Sequence, residues 1–219
     1  MADSFYDEHH RELQDRFESR ALADSLEAMI VQPQLDGPAA EFISSREFFF
    51  LSTVTTDGQP TVSHKGGAPG FVKVLDPQTL AFPSFDGNGM FFSMGNITAT
   101  AKIGMLFIDF ETPHRVRVHA DATVDPDDAL LVDFPGAQLV VRASITDTFV
   151  NCPRYIVKHE RVEASRYVPD MNGDAPSPAW KKIDGMAALL PTTDAAKVMA
   201  EGETISVEEY ADRVARGDG

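Results

Sequence analysis

The chain has 219 residues, a hydrophobic fraction of 43% and a formal net charge of -15, which together predict a globular domain with a full hydrophobic core. So acidic a surface argues against nucleic acid or a membrane as partner, although a few local cations can still bind a small phosphate ligand. The single cysteine, Cys152, excludes an intramolecular disulfide and a thiolate metal site, and the histidines lack ligand spacing, so no metal is predicted.

The N-terminal sequence has neither a basic start nor an apolar run, and no segment has the roughly 20 apolar residues of a membrane span. We therefore expect a cytoplasmic protein. The first predicted element is a helix over residues 7–31, which carries apolar residues at near-helical spacing among charges. Pro33 and Gly37-Pro38 are expected to end it, and a short helix over 38–46 follows.

Residues 47–150 have the pattern of β-strands. Residues 47–55 are aromatic and β-branched, Asp57-Gly58 is a strong hairpin turn, and residues 60–65 form the returning strand. Further strands are predicted at 70–75, 79–83, 103–110, 115–124 and 138–150, with a helix at 89–100. Seven strands with short turns favour a mostly antiparallel barrel.

The C-terminal tail is predicted to contain a loop at 170–177 and a helix at 206–216, which begins at a capping box of Ser206 and Glu209. The predicted organisation is an N-terminal helical segment, residues 1–46, packed on a barrel of residues 47–165. Residues 166–219 extend it as a loop and helix. We expect all three parts to form one structural domain.

One candidate binding segment runs from Ser63 to Phe71. Its glycines let the backbone approach a ligand closely, while the Lys65 ammonium and the Ser63 hydroxyl suit a phosphate. A glycine-rich connection with an exposed lysine is the alternative interpretation. The segment matches neither a P-loop nor a dinucleotide fingerprint.

A second candidate is the Gly- and Asn-rich stretch 85–97, which runs from a strand into a helix. Such helix starts present free N–H groups that hold anions, although ordinary turn residues at a helix start give the same pattern.

A third candidate is the segment 151–155, which places a cation and an aromatic ring at a barrel rim. Arg154 suits an anionic group there, or it pairs with one of the many surface carboxylates. Cys152 is expected to pack as a small buried hydrophobic residue rather than to act as a catalytic nucleophile, because no base partner is evident.

Three stretches together resemble one protein family. They are residues 57–110 (DGQPTVSHKGGAPGFVKVLDPQTLAFPSFDGNGMFFSMGNITATAKIGMLFIDF), 115–124 (RVRVHADATV) and 151–156 (NCPRYI). Over roughly residues 40–165 the chain resembles the pyridoxamine 5'-phosphate oxidase-like FMN-binding split barrels, in a branch described as FMN-dependent. The resemblance implies a mainly β fold with peripheral helices: a six-stranded antiparallel split β-barrel, assembled as a homodimer with FMN at the subunit interface.

The resemblance also implies the cofactor groove. Lys65 would meet the FMN phosphate, Phe82 and Pro83 would line the ring or ribityl chain, and Asn96 would complete the groove. Some relatives have Arg at the position of Gly89, so either one phosphate contact is missing or Arg115 or Arg117 replaces it. The full set of cofactor-binding candidates is Ser63, His64, Lys65, Gly66, Phe82, Pro83, Gly87, Asn88, Met90, Asn96, Arg117 and Arg154.

The resulting hypothesis is an FMN-dependent oxidoreductase acting on a small molecule, in which the flavin carries the redox chemistry and no catalytic side chain is nominated. The C-terminal Arg/His pattern of the oxidase itself is not evident, so oxidation of pyridoxamine phosphate is not expected. The alternative is a protein of the same fold that binds flavin, haem or a deazaflavin without turnover.

Overall fold

Seven strands form one antiparallel sheet in the computed structural model, which describes residues 5–218. The strands are β1 (Phe48–Val54), β2 (Pro60–Gly66), β3 (Lys73–Asp76), β4 (Thr79–Phe85), β5 (Lys102–Asp109), β6 (His114–Asp125) and β7 (Ala137–Val150). Their order in the sheet is β2-β1-β5-β6-β7-β4-β3. The count of seven from the strand pattern is confirmed. The count of six implied by the resemblance is wrong, because the four-residue β3 adds a strand beside β4.

The sheet curls around one core. Phe49 of β1 lies 5.1 Å, between ring centroids, from Phe82 of β4, although three strands separate β1 from β4 in the sheet. Phe107 of β5 packs on the Phe49 ring at 5.0 Å, and all three side chains are fully buried. The edge strands β2 and β3 of the described sheet do not pair with each other. The antiparallel split barrel is therefore confirmed.

The predicted hairpin turn at Asp57-Gly58 and the predicted alternation of buried and exposed residues both occur in the structure. Gly58 has a φ of 89°, which only glycine adopts easily, and the β1–β2 hairpin closes around it with Val54 opposite Pro60. Along β6 the predicted alternation is confirmed, with Val116 and Val118 buried while Arg117 between them is exposed.

The prediction of a single helix over residues 7–31 is wrong, because this segment forms two helices, α1 (Glu8–Arg16) and α2 (Arg20–Ile30). The chain turns at Glu18, whose φ is 54°, and the Ser19 N–H donates to the Gln14 carbonyl at 2.8 Å. The next predicted helices are confirmed as α3 (Gly37–Ser44) and α4 (Phe92–Thr100).

Among the described residues, 5–162 and 163–218 form two compact units. The second contains short 3-10 turns at Ala179–Lys182 and Met186–Ala188, then α5 (Thr192–Glu201) and α6 (Val207–Arg216). The predicted loop at 170–177 is confirmed. The start of α6 is confirmed too, since Ser206 Oγ accepts from the Glu209 N–H at 3.1 Å. That all parts form one domain stays a prediction.

No helix in residues 5–218 combines the length and the apolar character that crossing a bilayer would need.

Candidate functional site

Strand β2 carries a cation on its core-facing side. Lys65 stands directly opposite the buried Phe49, and Ser63 stands opposite the buried Leu51, so both side chains share the inner face of the sheet. Two residues along one strand place their Cα atoms roughly 7 Å apart. Lys65 is half-buried, and this burial lowers the pKa of its ammonium.

The Lys65 ammonium makes no hydrogen bond or ion pair within the described part of the chain. The chain has 34 carboxylate side chains against 19 cationic ones, so an unpaired, half-buried cation is unusual for this composition. Desolvating a charge without a partner costs free energy, and an anion bound there would recover it. Lys65 is therefore the strongest anion-binding group of the candidate site.

The N-terminus of α4 lies beside the same strand. Ser93 Oγ is 3.1 Å from Ser63 Oγ, which joins the first turn of the helix to β2. Phe91 precedes the helix in the left-handed region, with a φ of 47°, and no side chain caps the helix start. We call Ser63, Lys65 and Ser93 the Lys65 cluster. The sequence indicated that this helix start suits anions, but not which strand it meets, so Ser93 was missed.

Two glycines follow Lys65 where the chain leaves β2. A Cβ atom on Gly67 would lie 2.5 Å from Phe71 Cγ, closer than side-chain atoms can approach. A Cβ on Gly66 would lie 3.0 Å from His64 Cε1. Gly67 is therefore required for packing around Phe71. Its backbone also pairs within the protein, since its N–H donates to the Glu47 carbonyl at 2.9 Å.

His64 lies on the opposite face of β2 from Lys65, as alternation along a strand requires. Its ring stacks on Phe48 with centroids 5.4 Å apart and an interplanar angle of 21°. Burial lowers the pKa of His64, and the charge of the neighbouring Lys65 lowers it further. The structure thus separates these two candidates onto different faces.

Three further candidates lie inside the protein. Phe82 and Pro83 are buried, and the Phe82 ring packs edge-on against Phe49 in the core. Asn96 is 8% exposed, and its amide Nδ2 donates to Thr53 Oγ1 at 3.0 Å. None of these three groups is brought into the Lys65 cluster.

The loop between β4 and α4 is exposed. Asn88 Oδ1 accepts from the Met90 N–H at 3.0 Å, and the Met90 side chain is 68% exposed. Gly87 is also exposed, and Gly89 has a φ of 74°. Asn88 therefore organises the turn that leads into α4 rather than contacting β2.

The arginine candidates lie elsewhere. Arg117 is on the outer face of β6, 5.7 Å from the Phe149 ring centroid, and Arg154 is exposed beside Tyr155. Cys152 is exposed, contrary to its expected burial. A backbone hydrogen bond from Arg154 lowers the pKa of its thiol, and the Arg115 guanidinium donates to its carbonyl at 3.0 Å. Within residues 5–218 no three His, Cys, Asp or Glu residues group as metal ligands.

The fold and this cluster define a split-barrel protein with an unpaired cation on an edge strand, beside a helix N-terminus. The sequence model of the pyridoxamine 5'-phosphate oxidase family matches residues 35–162, which is more than half of the chain. The chain belongs to that family. A comparison with curated protein sequences finds no match.

Solved structures give partial similarities. A candidate pyridoxamine 5'-phosphate oxidase from Lactobacillus delbrueckii is 29% identical, over 54% of this chain and 95% of that one, with a TM-score of 0.44. An FMN-binding protein from Syntrophomonas wolfei is 11% identical, over 64% and 97% of the two chains, with a TM-score of 0.39. The HupZ protein of Group A Streptococcus is 15% identical, over 57% and 100%, with a TM-score of 0.44.

Proposed function

We propose that this protein is an FMN-binding flavoprotein and that the Lys65 cluster holds the phosphate of the cofactor. The observation that carries the proposal is the half-buried Lys65 ammonium without a partner among the described residues. It lies on the same strand face as the Ser63 hydroxyl, which is joined to the first turn of α4. A cation, hydroxyl donors and a helix N-terminus are three groups that bind phosphate.

The residues fit this cofactor. The Lys65 ammonium would supply the charge, and Ser63 and Ser93 would supply the hydroxyl contacts. When bound, FMN would supply the electron and hydride transfer that amino-acid side chains cannot provide. The protein's part is to bind and orient the cofactor and to select a small-molecule substrate.

Flavin fluorescence tests the binding proposal. We expect FMN emission to be quenched on binding, and Lys65→Ala to weaken FMN binding by about ten- to a hundredfold, as for loss of a charge-assisted hydrogen bond. Riboflavin lacks the phosphate, so its affinity should change less than about twofold. Lys102→Ala removes the same charge from an exposed Lys102–Asp121 pair and serves as the control. Unquenched FMN, or equal effects of the two substitutions, would contradict the proposal.

The oxidoreductase proposal needs its own experiment. Anaerobic addition of NADH or NADPH should bleach the visible absorption of the flavin if the protein passes electrons to a substrate through FMN. A flavin that stays oxidised with both donors would favour a binding protein without turnover. A Soret band in the purified protein would favour haem instead, and a deazaflavin spectrum would favour that cofactor.

We further propose a homodimer with FMN at the subunit interface. A barrel of seven strands is too narrow to enclose a flavin, so the ring would lie outside, where one subunit covers one side of it. The outer face of β1 and β2 offers apolar surface for a second copy: Val62 is 71% exposed, and Phe50 and Leu106 are half-buried neighbours across β1 and β5.

Light scattering at falling protein concentration tests this assembly. FMN bound across the interface should shift the equilibrium toward the dimer by mass action. A monomer that binds FMN tightly would contradict the interface model and leave the cofactor proposal standing.

A further inference from the structure

A chain of polar contacts fixes α4 to the β1–β2 hairpin inside the protein. Asn96 Nδ2 donates to Thr53 Oγ1 at 3.0 Å, and Thr53 Oγ1 lies 2.9 Å from Thr61 Oγ1 on the next strand. Asn96 is 8% exposed and Thr53 is 1% exposed. One turn further on, the Thr100 hydroxyl lies 3.2 Å from the Val54 carbonyl. Buried polar contacts of this kind demand one geometry, whereas apolar contacts tolerate sliding.

The helix depends on these contacts for its position. Its sequence, FSMGNITAT, contains glycine, threonine and asparagine, which are weak helix formers. No side chain caps its start, and Phe91 and Ala101 at its two ends have φ values of 47° and 60°. Such left-handed residues cost free energy and persist only where surrounding structure holds them. Tertiary contacts therefore place α4.

The contacts run in the same order along the helix and the strand. Asn96 and Ser93 are three residues apart, so they share a face of α4. Asn96 meets the Thr53–Thr61 pair, and Ser93 meets Ser63, two residues further along β2. The next residue on that face of β2 is Lys65. Along β2, Thr61 therefore lies near Asn96 and Ser63 near Ser93, and the following residue, Lys65, should lie at the N-terminal end of α4.

We propose that Asn96 is a positioning residue for the anion-binding group: its bond to Thr53 holds the start of α4 in register with Lys65. Asn96 then acts on the cofactor through the helix and makes no contact with it. The inference rests on the proposed function, because the group it positions is the proposed phosphate site.

The test compares the affinities of FMN and riboflavin, whose ratio measures the phosphate contact alone. Thr53→Val keeps the shape of the side chain but loses the oxygen that accepts from Asn96, and Asn96→Ala removes the donor. In both variants we expect FMN binding to weaken about five- to tenfold while riboflavin binding changes less than about twofold. Thr53→Ser, which keeps the hydroxyl, should restore the wild-type ratio.

Thr148→Val is the matched control, since Thr148 is 5% exposed and its hydroxyl donates to the Arg117 carbonyl on β6, rather than to a residue of α4 or of the β1–β2 hairpin. It should lose stability without changing the ratio. If Thr53→Val and Asn96→Ala keep the wild-type ratio, or Thr148→Val lowers it equally, the positioning role is wrong. If the wild-type protein does not prefer FMN over riboflavin, the proposed phosphate site itself fails.

A double-variant cycle covers the case in which these variants are too unstable to titrate at room temperature. Measured in the cold, Thr53→Val should add less than about twofold to the loss caused by Lys65→Ala, because the proposed role of the Asn96–Thr53 bond is to align the helix start with the phosphate that Lys65 holds. Additive losses would overturn the inference.

Discussion

Replacing Gly67 with alanine is expected to destabilise the N-terminal unit through a single methyl group. The new Cβ would lie 2.5, 2.6 and 2.8 Å from Phe71 Cγ, Cβ and Cδ2. Phe71 is 6% exposed and stacks on Phe49 at 5.9 Å, so its ring has little room to move away. Overpacking of this kind costs about 1–3 kcal/mol, or roughly 3 to 10 °C in melting temperature for a chain of this size.

Urea unfolding followed by far-UV circular dichroism measures this loss. Trp180 lies in the C-terminal unit, so its fluorescence reports the other unit separately. Gly37→Ala is the control, because no atom lies within 4 Å of a Cβ at Gly37. Adding Phe71→Leu should recover part of the stability lost in Gly67→Ala. A Gly67→Ala protein within about 0.5 kcal/mol of the wild type would refute the reasoning.

Three other predictions concern ionisable groups. Burial lowers the pKa of Lys65 below the ordinary lysine value of 10.5, so FMN binding should weaken as the pH rises through that lowered pKa. Lys65→Arg should remove this pH dependence, and titration by flavin fluorescence measures both effects. Hydrogen bonding from Arg213 lowers the pKa of Glu203 from 4.5 to about 2. Since the folded pKa of Glu203 lies below the unfolded one, the stability of the C-terminal unit should fall as pH drops from about 4.5 to 2. Trp180 fluorescence follows this acid transition, and a Glu203→Gln protein whose transition is unchanged would contradict the prediction. Lys181 is 3% exposed, and its ammonium Nζ lies 2.8 Å from Asp194 Oδ2. Lys181→Met should lower the free energy of unfolding in urea by about 3 kcal/mol, and a change near zero would show that the ion pair is dispensable.

The sheet was predictable because its signals are local. The turn at Asp57-Gly58 and the alternation of β6 each depend on a few neighbouring residues, and both are confirmed. The break between α1 and α2 was not predictable from apolar spacing, since it occurs at Glu18 without a glycine or proline. Helix α5 was missed although Pro191 precedes it and Gly202 ends it, which are ordinary boundary residues.

The candidate site was predictable only in part, for a related reason. Alternation along β2 indicates that Ser63 and Lys65 share one face and His64 the other. The contact between Ser63 and Ser93 joins residues 30 positions apart, and no local pattern encodes it. Asn96 was expected to face the cofactor, but its amide lies buried against Thr53. Whether such a residue faces a ligand or the core depends on how the helix seats on the sheet.

The two unpaired edges of the barrel are consecutive in the chain: β2 ends at Gly66, β3 begins at Lys73, and residues 67–72 alone join them. The seven Cα–Cα steps from Gly66 to Lys73 span at most about 25 Å when extended, so this connection is a tether that limits how far the edges can separate at that end. Its N–H groups at Gly67 and Gly70 are bonded to Glu47 and Ser44, at 2.9 and 2.8 Å. Proteolytic cleavage at the exposed residues 68–70 would remove this tether, so that the two unpaired edges could move apart and each become more accessible for pairing with another chain.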